Sequence, residues 1–162
     1  LTEVLECLGV SSPNQWILQA GADKPSAVNS PDDDATSYIR AYTGRGQQFT
    51  LQSSSIPAGS TINSVSIVSR GECPNAEYWK ARLVIGANYT EGAQHSPLSW
   101  SSYTEALAKP GGGSWAQTDL SSLEVAIYAY DSPYTACACT TLYVLIDYTP
   151  PAATTGDMLL VF

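Results

Sequence analysis

With 162 residues and a mass of 17.2 kDa, the chain is long enough to bury about 68–70% of its unfolded surface in one domain, so its core needs no metal. Seven Lys and Arg against fifteen Asp and Glu give a formal charge of −8, and the scattered bases make nucleic acid and anionic membrane surfaces poor partners. Hydrophobic residues at 44% argue against disorder, and no apolar run approaches the roughly 20 residues of a membrane span.

Ten Tyr, four Trp, twelve Gly and ten Pro favour short strands and turns over helices. The chain opens on Leu1 rather than Met, which predicts that a preceding segment is removed by processing or lies outside the sequence. Leu1, Val4, Leu5 and Leu8 recur at i, i+3, i+4 and i+7 ahead of Gly9, a pattern that suits an amphipathic helical piece as well as a strand. Residues 15–20 read as a strand, followed by a polar connection up to Asp34. Residues 36–42 and 48–52 flank Thr43-Gly44-Arg45-Gly46 and read as a hairpin. After a turn at Ile56-Pro57-Ala58-Gly59, residues 61–70 place Val65 and Ile67 on one face and Ile62 and Val68 on the other. Residues 78–85 alternate Trp79, Ala81, Leu83 and Ile85 against Tyr78, Lys80, Arg82 and Val84, so one face is apolar and the other partly wet. Residues 97–108 form another strand, Gly111-Gly112-Gly113 a loop, and residues 115–123 one short helical turn with Thr118 as its N-cap. Residues 124–130 and 140–148 are the closing strands. Seven or more strands with no helix of any length predict an all-β fold, an antiparallel two-sheet β-sandwich. The expected division is an amino-terminal extension at 1–31, the sandwich at 32–149 and an apolar carboxy-terminal tail at 150–162.

Asp32-Asp33-Asp34-Ala35-Thr36-Ser37-Tyr38-Ile39, then Phe49-Thr50-Leu51, Ile56 to Ile62 with Ser64-Val65, Arg82-Leu83-Val84-Ile85, and residues 115–123 and 142–148 carry a family likeness. Together they resemble a jelly-roll-like sandwich domain of phage virion and tail proteins and of secreted bacterial and archaeal surface proteins, pilus-like or adhesive. The resemblance spans residues 32 to 148 and implies a non-enzymatic structural, adhesive or sugar-contacting module with no catalytic residue. The cysteines and the two partly apolar ends depart from that pattern.

Cys7, Cys73, Cys137 and Cys139 are even in number, without C-x-x-C spacing or a neighbouring His. They read as two disulfides in an oxidising compartment, or as four small buried hydrophobes. Cys137 and Cys139, two apart in an extended run, lie near the long limit of about 6.8 Å for a bridge, so Cys73 is expected to meet this pair and Cys7 to staple the amino-terminal segment. Asn88-Tyr89-Thr90 is the one N-x-[ST] sequon. Asp32, Asp33 and Asp34 offer hard oxygens for calcium, or form a solvated acidic turn. His95 is the lone histidine, with no triad or metal motif around it, and reads as an exposed loop residue. Trp100, Tyr103, Tyr89 and Tyr134 read either as a stacking platform for sugar rings or as ordinary β-surface residues.

The expected function is a non-enzymatic structural subunit of an extracellular filament or virion surface, with copies of itself or other surface and virion subunits as partners. Assembly would run by strand addition through Leu1, Val4, Leu5 and Leu8 and through Met158, Leu159, Leu160, Val161 and Phe162. The alternative is an adhesive or carbohydrate-binding module with glycan partners. No cofactor is expected beyond calcium, and the expected location is extracellular, on a cell surface or on a virion.

Overall fold

The computed structural model describes residues 1–29, 36–41, 44–74, 77–130 and 136–152. The amino-terminal region contains β1 (Thr2–Asn14), β2 (Ile17–Ala20), helix α1 (Lys24–Asn29) and β3 (Tyr38–Ala41). The middle contains β4 (Arg45–Leu51), β5 (Thr61–Glu72), β6 (Tyr78–Ile85), β7 (Asn88–Glu91) and β8 (Ser101–Ala106). A 3₁₀ helix (Gln117–Ser122) then leads directly into β9 (Leu123–Tyr130), and β10 (Cys137–Thr149) follows.

All pairings are antiparallel, and they build two sheets in the orders β1-β10-β5-β8 and β4-β9-β6-β7. This is the double Greek-key connectivity of a jelly roll. β3 lies on the first part of β10, and β2 lies beyond β3. The period-2 pattern explains the core between the sheets. Trp79, Ala81 and Leu83 of β6 and Val125 and Ile127 of β9 face Val65 and Ile67 of β5 and Leu142, Val144 and Ile146 of β10, all essentially fully buried. Each such Leu, Ile or Val contributes roughly 1.5–3 kcal/mol over an exposed position.

The structure corrects several local expectations. The amino-terminal segment is a strand belonging to the sandwich: its first half pairs with β10 and its second half with β4. At the change of partner, the Asn29 side chain stands in for a neighbouring strand. Its Oδ1 accepts from Cys7 N at 3.0 Å, and its Nδ2 donates to Cys7 O at 2.7 Å. Leu5 is buried in the domain's own core, whereas Leu1, Val4 and Leu8 are exposed. Residues 36–42 and 48–52 make no hairpin. β3 instead pairs with β10 and β4 with β9, and Gly44, at φ +70°, donates its N–H to Ala129 O. Ile62 joins the core, because a register shift opposite the end of β10 reverses the facing of that end of β5.

Two elements had no expectation behind them, β7 and α1. Asp23 starts α1 by accepting from Ser26 N and Oγ, and tertiary burial of Ala27 and Val28 holds so short a helix. The 3₁₀ helix is fixed by Asp119 accepting from Ala116 N at 2.7 Å rather than by Thr118.

Cys73 and Cys137 form a disulfide at adjacent positions of the paired β5 and β10 ends. Cys73 thus meets the 137/139 pair as expected, but Cys7, expected to staple the amino-terminal segment through a second disulfide, is a buried free thiol, as is Cys139. Cys7 lies level with Leu142 and donates to its carbonyl at 3.1 Å, whereas Cys139 sits three residues earlier on β10 and donates to Thr141 O at 3.2 Å. Burial raises both above the ordinary thiol range, Cys139 to about 12, so neither is a reactive thiolate.

Candidate functional site

The solvent face of the β4-β9-β6-β7 sheet is built by the residues that alternate with the core set. Register places Tyr78 beside Tyr130, Lys80 beside Tyr128, Arg82 beside Ala126 and Glu91, and Val84 beside Tyr89 and Glu124. The rings of Tyr78 and Tyr130 stack with centroids 5.0 Å apart and an interplanar angle of 14°. The Arg82 guanidinium lies between Tyr128 and Tyr89, at 3.8 and 4.3 Å from their ring centres. Tyr128 in turn covers Gly46, where a Cβ would run into its ring. A glycine at that register position is what lets the ring lie flat on the sheet.

The charges on this face neutralise one another. Glu91 accepts from Lys80 Nζ at 2.8 Å, from Arg82 Nε at 2.7 Å and from Tyr130 Oη at 3.0 Å. Burial pushes the Glu91 carboxyl up, but these three donors outweigh it and hold the group below its ordinary range. A depressed folded value means that the pairs stabilise the domain above the unfolded carboxylate pKa and are lost as pH falls through the folded one. Burial and Glu91 together keep the Tyr130 hydroxyl above the usual phenol range, against the opposing pull of Arg82. At the far end of the face, Gln48 Nε2 donates to Glu124 Oε2 at 2.6 Å. The result is a preorganised array of aromatic rings rimmed by hydroxyls, amides and paired charges.

Among the described members of the aromatic set, only Tyr89 belongs to this face: Trp100 packs edge-on against Tyr38 and Tyr103 stacks on His95, while Tyr134 is outside the described residues. Asp32, Asp33 and Asp34, with the calcium reading placed on them, and Met158 to Phe162 also fall outside the described residues. Among the described residues no cluster of three or more His, Cys, Asp or Glu could hold a metal, and no helix is long and apolar enough to cross a membrane. Asn88 is exposed at the start of β7, beside the tyrosine face. The signal for the face was present in the sequence as Tyr78-x-Lys80-x-Arg82 and Tyr128-x-Tyr130, whose spacing of two puts each set on one side of a strand.

His95 is not the exposed loop residue expected. Its backbone bridges to Trp79 in both directions, which extends the edge of the sheet past β7. Its ring stacks on Tyr103 at 3.7 Å and shares a 3.0 Å hydrogen bond with Glu105, with only 10% of the side chain exposed. His95→Ala therefore costs about 2 kcal/mol, because the Glu105 carboxylate loses a partner in a nearly closed site. Urea unfolding that gives wild-type stability for this variant would contradict the packing described.

Fold and face together define a jelly-roll domain with a tyrosine-lined sheet surface. No family model matches the chain, and no curated protein matches it. Among solved structures, the CBM36-1 domain of a multidomain xylanase from the hindgut metagenome of Trinervitermes trinervoides is similar at 14% identity, with a TM-score of 0.41. That alignment covers 91% of this chain and 97% of the other.

Proposed function

We propose that this chain is a non-catalytic, glycan-binding adhesive module of an extracellular protein. The observation that carries the reading is the outer face of β4-β9-β6-β7, where Tyr78, Tyr130, Tyr89 and Tyr128 are held in fixed stacks beside mutually paired charges. A pyranose ring has apolar C–H faces and a hydroxyl rim, so it matches an aromatic surface with polar groups at its edges. Because the rings are already stacked and the polar groups already paired, little ordering entropy opposes binding. The Cys73–Cys137 disulfide supports an oxidising, extracellular setting. Binding here needs contact area and no bond-making step.

Affinity electrophoresis in gels containing soluble neutral polysaccharides tests the reading. The wild-type domain is expected to be retarded by at least one of them. Tyr78→Ala/Tyr130→Ala should lose that retardation at least tenfold while keeping a cooperative unfolding transition. Free migration of the wild type in every gel, or equal retardation of the double variant, would overturn the proposal.

A further inference from the structure

A cleft of about 360 Å³ opens at the end of the tyrosine face, between the chain that follows β4 and the 3₁₀ helix. That volume falls at the lower end of the range for small-ligand sites, about 300–1,000 Å³. It is lined by the apolar Leu51, Leu120 and Leu123 together with Thr50, Gln52, Ser54, Gln117, Ser121 and Glu124. The lining thus combines hydroxyl- and amide-bearing residues with three leucines. No Lys or Arg is among the described residues that line it, and Glu124 is its one charged group.

Both walls are tied down. Glu3 accepts from Ser54 Oγ and from Ser55 N, each at 2.6 Å. Burial raises the Glu3 carboxyl, and its hydrogen bonds to Ser54 and Ser55 bring it net below its usual range. Opposite, Gln117 donates to Ile56 O, and Asp119 pairs with Lys109 at 2.9 Å. The cleft is also continuous with the face, because Thr50 and Glu124 are register partners at its end. Tyr128 lies four residues further along β9, about 13 Å away at the rise of an extended strand. The 3₁₀ helix runs straight into β9, and its Gln117, Leu120, Ser121 and Ser122 line the cleft beside Leu123 and Glu124 at the start of that strand.

We infer that this cleft is a terminal subsite that takes the end residue of a neutral glycan chain whose body lies on the tyrosine face. The inference rests on the glycan reading above and adds two things to it, recognition of a chain end and exclusion of acidic sugars. Exclusion follows from charge: a uronic acid carboxylate entering the cleft would meet Glu124 with no cation beside it.

Isothermal titration of the whole chain with cellohexaose, xylohexaose, mannohexaose and hexagalacturonic acid tests it. At least one neutral hexasaccharide is expected to bind, with hexagalacturonic acid at least tenfold weaker. Ser121→Trp, which fills the cleft from an exposed position, should weaken the neutral hexasaccharide at least tenfold. It should leave retardation by the parent polysaccharide, whose ends are few, within about twofold of wild type. Gln52→Ala gives a second reading with no added bulk and should weaken the hexasaccharide in the same sense. If both cleft variants bind like wild type while Tyr78→Ala/Tyr130→Ala does not bind, the terminal subsite is wrong and the face reading stands. Equal affinity for hexagalacturonic acid overturns the selectivity, and no binding by the wild type removes both proposals together.

Discussion

Cys73→Ala/Cys137→Ala lowers the stability of the domain by about 4 kcal/mol and its Tm by on the order of 10 °C. The bridge joins residues 64 apart in sequence, and closing a loop of that length removes much of the unfolded chain's freedom. It ties the end of β5 to the start of β10, the most extensively paired strands of the fold. Thermal unfolding with and without reductant checks the size of the effect. The wild type should lose the same interval on reduction, and the double variant should be insensitive to reductant. Cys7→Ala/Cys139→Ala should retain the reductant sensitivity, since those two thiols are not bridged. A wild type whose Tm ignores reductant would show that the bridge does not carry this stability.

Leu83→Asp and Ile146→Asp each abolish folding. Leu83 on β6 and Ile146 on β10 come from opposite sheets and are both 0% exposed, so a carboxylate at either site is unpaired in the centre of the sandwich. Loss of the side chain alone costs about 2–5 kcal/mol. The buried charge adds several more, which together consume a stability that is about 5–15 kcal/mol in all. Leu83→Ala should still fold, weakened by the first of these amounts. Leu98→Asp, at a position 75% exposed, should stay within about 0.5 kcal/mol of wild type. A cooperative transition in Leu83→Asp, followed by circular dichroism, would mean that β6 does not face the core in the register described.

Alternation along β6, β9 and β10 was readable from the sequence because a half-buried strand writes its two faces into every second residue. The same spacing already grouped Tyr78, Lys80 and Arg82 on the wet side of one strand. Local chemistry also limited the cysteines, since Cys137 and Cys139, two apart in an extended run, lie near the long limit of Cα separation for a bridge. Partners were another matter. That β1 changes from β10 to β4 at Cys7, with Asn29 completing its hydrogen bonds, depends on residues 22 apart in sequence, and no local pattern reports it. The Thr43–Gly46 turn chemistry fits a hairpin, yet β3 and β4 lie in different sheets because each finds a longer partner elsewhere.

The candidate site shows the same division. Tyr130 was legible only as the end of a closing strand. Its stacking on Tyr78, the seating of Arg82 between Tyr89 and Tyr128, and the convergence of Lys80, Arg82 and Tyr130 on Glu91 required β6, β7 and β9 to lie side by side. The sequence by itself determined an all-β antiparallel sandwich and which residues alternate into its core, because period and turn chemistry are properties of neighbouring residues. Tertiary structure alone decided strand order, the bridged pair of cysteines and the tyrosine face, because each depends on which strands pair, and pairing is set by burial summed over the whole domain.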